Sequence, residues 1–186
     1  IRLGEEVFND GKLSKAKLNE LISTLKQYQK TFEKKQIVSY EITATSAFRD
    51  TKNSEDARRY VENRIEHPIR IISGLEEAKL ISLHPKAQTG TGKMFVDVGG
   101  GSTEIYVYKE DKHLIQSFQL GGVRLMLKKD KKNEWSRLEE WIKKQTNINT
   151  ITGLGGNIRA FLSIHNVKKM SSNEFIKKAS ELRKLS

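Results

Sequence analysis

The sequence predicts an α/β protein in two lobes, and three observations predict it. Helical stretches, with apolar residues three and four apart, alternate with short β-branched runs, the order that builds helix-covered sheets. Two runs end in glycine clusters, Gly99-Gly100-Gly101 and Gly153-Leu154-Gly155-Gly156, where a strand hands over to a turn. Between the halves, His84 to Gly92 collects Pro85, Thr89, Gly90, Thr91 and Gly92 and reads as a linker.

The elements follow in order. From Ser14 to about Lys35, Leu18, Leu21, Ile22, Leu25, Tyr28 and Phe32 share one helical face, with Ser14 as N-cap. Ile37 to Thr45 alternates and is β-branched, a strand that runs into Ala44-Thr45-Ser46-Ala47-Phe48-Arg49-Asp50. Asn53 is expected to cap a helix that turns Ala57, Tyr60, Val61 and Ile65 inward and stops at Pro68. Ile69 to Ile72 is a short strand, and Ser73-Gly74 leads into a helix that opens with Glu76 and Glu77. Neighbours on a helix point about 100° apart, so only one of these glutamates can face a cleft.

Phe95, Val96 and Val98 form a strand, Ile105 and Val107 its return, and His113 to Leu120 a third. Leu120 to Leu127 stays apolar and then dissolves into Lys128-Lys129-Asp130-Lys131-Lys132. Asn133 is expected to cap a helix with Trp135, Leu138, Trp141 and Ile142 on its inner face, and Ile148 to Thr152 forms a strand. A helix then carries Ile158, Phe161, Leu162 and Ile164. Ser171 and Glu174 make a capping box for the last helix, which packs through Phe175, Ala179 and Leu182.

Bulk properties exclude several classes. With 186 residues and 36% hydrophobic content the chain can bury a core, and no apolar run approaches a membrane span. Cysteine is absent, which removes disulfides and thiolate metal sites, and four scattered histidines do not suit zinc. No signal peptide is visible, although the first residue is not Met, and a cytoplasmic protein is expected. The net charge of +11 suits a polyanionic partner or a lysine-decorated surface. It lacks the aromatic-interleaved stripe of specific nucleic-acid recognition.

Chemistry concentrates at Asp97-Val-Gly-Gly-Gly-Ser-Thr-Glu104. Three glycines exceed what a hairpin needs and leave backbone N–H groups unobstructed for an anion. Asp97 and Glu104 flank them, as a divalent cation bridging phosphate oxygens would require. The same residues also suit a plain glycine-rich turn beside two solvated acids. A second strand–glycine–helix junction at Gly155-Gly156 can likewise aim N–H groups at an anion.

This loop closely resembles the second phosphate-binding loop of the exopolyphosphatase / guanosine pentaphosphate phosphatase (Ppx/GppA) family, a branch of the actin-like and sugar-kinase superfold. Arg2-Leu-Gly4 with Gly11-x-Leu13-Ser14, Ala44-Thr-Ser-Ala-x-Arg49, Ile72-Ser-Gly-x-Glu76-Glu77-Ala78, Leu120-Gly-Gly-Val-Arg124-Leu and Gly153-x-Gly155-Gly156 resemble its other landmarks, in order, to about residue 162. The resemblance implies two ribonuclease-H-like (actin-like ATPase) domains facing a cleft, over residues 1–84 and 93–186, joined by 85–92. The family's opening hairpin, with a first phosphate loop resembling Asp-Leu-Gly-Thr-Asn-Ser, has no counterpart here, so the first domain is expected to be incomplete.

The resemblance further implies Mg²⁺-dependent release of terminal phosphate from inorganic polyphosphate or guanosine pentaphosphate, and pairing as a homodimer. Gly99, Gly100, Gly101 and Ser102 would hold the phosphate, with Gly155 and Gly156 lining the cleft. Arg49 would neutralise phosphate oxygens, Asp97 and Glu104 would position Mg²⁺, and Glu77 would be the general base. A non-catalytic polyphosphate- or alarmone-binding module of the same fold is the alternative. A kinase of the superfold fits less well, because Glu76-Glu77-Ala78 is present.

Overall fold

The computed structural model describes residues 1–83, 87, 92–109 and 112–184. The linker expected over 85–92 lies outside them, apart from Ala87 and Gly92. The first half contains α1 (Leu3–Asp10), α2 (Lys15–Lys34), β1 (Ile42–Ala44), α3 (Ser46–Asp50), α4 (Ser54–Ile65), β2 (Ile69–Ile71) and α5 (Gly74–Ser82). The second contains β3 (Lys93–Val98), β4 (Thr103–Lys109), β5 (Lys112–Phe118), α6 (Gly122–Met126), α7 (Lys132–Lys143), β6 (Thr150–Leu154), α8 (Gly155–Ile164) and α9 (Ser172–Arg183). β1 and β2 form a parallel pair, and the second half forms a mixed sheet in the order β5-β4-β3-β6. The α/β class is therefore as the alternating pattern predicts. Among the described residues no helix is long and apolar enough to cross a membrane.

Several elements differ from expectation for identifiable reasons. α1 carries no long periodic signal, yet it buries Val7 and Phe8 and ends where Gly11 adopts a left-handed φ of 78°. The strand expected over Ile37 to Thr45 shrinks to Ile42–Ala44, because only these residues find partners on β2, and Val38 is wholly exposed. α2 buries Leu18 and Ile22, but Tyr28 sits where the helix outruns the core and stays exposed. Asn53 occupies the N-cap position of α4 without capping it. Its side chain instead accepts from the Leu13 N–H and donates to the Leu13 carbonyl, tying the α1–α2 connection to α4.

In the second half, α7 begins at Lys132 behind Lys131, so Asn133 lies in the first turn rather than at the cap. Trp141 packs edge-on against Phe118, while Trp135 stays at the rim and donates to Asp130. β6 runs on to Leu154, because its pairing with β3 continues to Asp97. Ser171 and Glu174 form the expected capping box, but α9 buries nothing fully, and Phe175 meets Phe161 half in solvent.

Register sorts the mixed sheet into two faces. Met94, Ile105, Val107 and Phe118 form one apolar face, packed by Leu138 and Trp141 of α7. The alternate residues Phe95 and Tyr106 face the other way and are covered by Ile81 of α5. Thus α5, which belongs by sequence to the first half, lies on the sheet of the second. That crossing positions the candidate site.

Candidate active site

Strand pairing assembles an acidic end on the face that α5 covers. Asp97 pairs with Glu104 across β3 and β4, and Glu104 with Ser117 across β4 and β5. Directly opposed residues share a face with Cβ atoms about 5 Å apart. The Ser117 hydroxyl donates to Glu104 Oε1 at 2.8 Å, and Glu104 is only 2% exposed. Gly74, the first residue of α5, comes so close that a Cβ there would lie 2.2 Å from the Ser117 hydroxyl. This contact sets the helix start over the acids.

The glycine loop between β3 and β4 is fixed through its carbonyls. Gly99 N–H donates to the Ser102 carbonyl and closes the turn. The Gly99 carbonyl accepts from Gly122 N–H, the Gly100 carbonyl from Val123 and Arg124 N–H, and the Gly101 carbonyl from Arg124 Nε at 2.6 Å. In a trans peptide the N–H points opposite to its C=O. Three successive peptide planes are therefore turned with their carbonyls toward α6 and the N–H groups of Gly100, Gly101 and Ser102 away from it. Among the described residues no acceptor takes those three N–H groups. Convergent free donors of this kind form an anion-binding concavity. Gly121 backs the loop so tightly that a Cβ there would lie 2.5 Å from the Gly100 carbonyl.

A second glycine junction adjoins it. Gly155 opens α8 with a left-handed φ of 82°, and a Cβ on it would lie 2.7 Å from Asp97 Oδ1. Asn157 donates to the Val98 carbonyl, pinning α8 to the end of β3. Gly156 faces open space.

The first half contributes Arg49 and Glu77. Arg49 lies on α3, not on an irregular turn, and its Nη1 donates to the Ile72 carbonyl at 2.9 Å. The same nitrogen lies 3.8 Å from Glu77 Oε2. The two glutamates diverge as helix geometry requires. Glu76 closes a capping box with Ser73 and pairs with Arg70, and the Ser73 hydrogen bonds first, then the Arg70 charge, hold its carboxyl below the usual range. Glu77 is half-buried, and its Oε2 has no hydrogen-bond partner. Burial first, then the neighbouring Glu104 and Asp97 charges, push its pKa up to about 7, against the pull of Arg49 and Thr45.

The three carboxylates thus share one low-dielectric region, and burial raises Asp97 and Glu104 as well. Neither of those two makes an ion pair with a described side chain. Two hard carboxylates, destabilised as anions and lacking a paired cation, fit Mg²⁺, which commonly takes one or two protein carboxylates and completes its shell with phosphate and water oxygens. No group of three His, Asp or Glu suited to a metal occurs among the described residues, so the other ligands would come from substrate and solvent.

The structure brings Arg49, Glu77, Asp97, Gly99, Gly100, Gly101, Ser102, Glu104 and Gly155 to one place, with Gly156 at its open side. A Cβ on Gly101 would strike Phe8 and Ser46, so the loop also presses on α1 and the start of α3. Three contributors were not singled out from sequence. Ser117 is detectable only once register is known, Asp50 sits beside Arg49, and Arg124 lies within Leu120-Gly-Gly-Val-Arg124 without an evident role.

The family model for the Ppx/GppA phosphatase family matches residues 1–169. Exopolyphosphatase 1 of Mycobacterium bovis and that of Mycobacterium tuberculosis are each 31% identical to this chain over 129 residues, which is 67% of this chain and 38% of theirs. The chain therefore spans well under two thirds of the length of these relatives. The crystal structure of the Aquifex aeolicus Ppx/GppA family member superposes with a TM-score of 0.66 at 27% identity, covering 92% of this chain and 60% of that one. An exopolyphosphatase from Cytophaga hutchinsonii gives a TM-score of 0.66 at 18% identity, over 88% of this chain and 60% of that one, a likeness of fold.

Proposed function

The chain belongs to the Ppx/GppA phosphatase family, and on that premise we propose that it carries the hydrolytic site of an enzyme releasing terminal phosphate from inorganic polyphosphate. Guanosine pentaphosphate offers the same phosphoanhydride and is the second substrate in this reading. The two sheets serve as cores of two ribonuclease-H-like lobes, and the site lies where α3 of the first meets the glycine loop and α5 on the sheet of the second.

The observation that carries the reading is Glu77. A half-buried carboxylate with one oxygen that accepts no hydrogen bond and a pKa of about 7 is poised to take a proton near neutrality. The N–H groups of Gly100, Gly101 and Ser102 receive the terminal phosphate, and Arg49 offsets charge on its non-bridging oxygens. Water attacks phosphorus, the bond to the bridging oxygen breaks, and Glu77 accepts the proton of the attacking water. The shortened polyphosphate departs as an anion, so no covalent enzyme intermediate is required. Mg²⁺, held by Asp97 and Glu104, would supply neutralisation of the phosphate oxygens when bound.

The test is phosphate release by the full-length, Mg²⁺-supplied protein from long-chain polyphosphate and from guanosine pentaphosphate, with Arg49→Gln alongside. Release from at least one substrate, with sharply weaker turnover in the variant, is expected. Tight binding without release from either would instead make the protein a polyanion-binding module. A strong fall of polyphosphate affinity with salt would tie the +11 charge to the substrate.

A further inference from the structure

The three peptide planes of the glycine loop are not held alike. Backbone N–H groups of residues 122–124 fix the carbonyls of Gly99 and Gly100, whereas the Gly101 carbonyl is held by the Arg124 side chain. That peptide carries the Ser102 N–H, the last of the free donors. The Arg124 side chain is only 11% exposed, and the remaining contacts of its guanidinium reach into the other half of the chain. Nη2 donates to Asp50 Oδ2, and the group lies over the Phe8 ring at 4.1 Å. Asp50 follows Arg49 on α3, so one side chain links the glycine loop to the helix bearing the phosphate-facing arginine.

We propose that Arg124 is a positioning residue for the anion site: by gripping the Gly101 carbonyl and Asp50 together, it orients the Ser102 N–H and holds the loop in register with Arg49. This rests on the anion-binding role assigned to the loop above. The chemistry favours action through the loop over direct contact with the anion. Two of the three guanidinium nitrogens are engaged, one face is stacked on Phe8, and the charge is already paired with Asp50. A carbonyl that accepts a charged donor also polarises its own peptide, which strengthens the N–H on the far side. Lysine cannot reproduce the grip, because an ammonium lacks the planar fork.

The experiment measures binding of sodium tripolyphosphate to the full-length protein across a salt series, for wild type, Arg124→Gln, Arg124→Lys and Asp50→Asn, with amide NMR spectra of each. Arg124→Gln is expected to weaken binding about tenfold, the scale of one lost charge-assisted hydrogen bond, without changing the slope against salt. Arg124→Lys should fall between, and Asp50→Asn should also weaken binding. Asp50 Oδ1 also lies 3.7 Å from Arg49 Nε, so the deciding variant is Arg124→Gln: if Arg124 gripped the anion itself, that substitution would flatten the salt slope, and this result overturns the proposal. The Ser102 amide resonance tests the geometry with no substrate at all: it should move in Arg124→Gln and Asp50→Asn while the Gly100 amide moves little, and an unmoved Ser102 resonance in folded variants overturns the proposal. Tripolyphosphate binding with no phosphate release would refute hydrolysis and leave the positioning role standing.

Discussion

Val107 and Glu104 stand on the same strand, one 0% and the other 2% exposed, on opposite faces of one sheet. On the Val107 face, α7 covers Met94, Ile105 and Phe118 with Leu138 and Trp141, and removing apolar surface from water stabilises the fold. On the Glu104 face, α5 brings Glu77 toward Asp97 and Glu104, and the same exclusion of water raises the energy of three carboxylate anions. Equal dryness therefore has opposite signs on the two sides. One face supplies stability, and the other uses some of it to hold the carboxylates to which the proposed hydrolysis is assigned.

The strongest way to break this contrast is Glu77→Gln. In the full-length, Mg²⁺-supplied protein, the proposed turnover of polyphosphate should drop by about 10²- to 10⁴-fold, the range for a lost general base. Wild-type rates should climb with pH as Glu77 loses its proton, with a midpoint below 7 because bound Mg²⁺ would offset the Glu104 and Asp97 charges that help raise its pKa, and the variant should lack that limb. Full activity in the variant would remove Glu77 from the chemistry.

On the apolar face, Ile105→Ala should destabilise the protein by about 2–5 kcal/mol, as buried isoleucine truncations do, read by urea unfolding. Turnover per folded molecule should hardly change. A comparable loss of turnover would mean that the two faces are not separable.

Glu77→Gln should also sharpen the contrast from the stability side. Its pKa is higher in the folded chain than the unfolded value near 4.5, so folding is favoured by the protonated form. That contribution is complete below about pH 4.5 and is lost as pH rises through 7. Glutamine cannot ionise, so the variant should gain on the order of 2–3 kcal/mol over wild type between pH 5 and 8. A pH-independent difference in unfolding free energy would contradict the burial argument.

The smallest effect is expected at Glu76. Glu76→Gln weakens a capping box and an exposed pair with Arg70, so unfolding should shift only slightly while turnover stays close to wild type. Equal turnover losses at Glu76 and Glu77 would sink the assignment of proton transfer to one of them.

Much of this architecture can be read along the chain, because alternation, capping boxes and glycine clusters are local signals. Phe95 to Val98, Ile105 to Val107 and the Ser171–Glu174 cap are of this kind. The glycine loop with Asp97 and Glu104 stands out on its own residues, whereas Arg49 and Glu77 enter only through resemblance to a family, since no periodicity distinguishes Glu77 from Glu76 or marks Arg49. What escaped depends on pairing between distant segments. Ser117 meets Glu104 only through strand register, and Arg124 meets Asp50 across 74 positions. The strand expected from Ile37 shortened for the same reason, since a β-prone stretch forms ladder only as far as a partner exists.

Gly101 and Gly156 belong to one site, yet they would behave differently in a saturation library. A side chain at Gly101 would run into Phe8 and Ser46, and one at Gly121 into the backbone of Gly100. Selection for folding alone should therefore return glycine at both positions, whatever the protein does. A Cβ on Gly156 would meet no described atom within 4 Å beyond its chain neighbours and its own helix, so selection for folding should admit many residues there, and only selection for the proposed reaction should restore glycine. Sequencing the two pools side by side would separate glycines kept for folding from one kept for the proposed reaction.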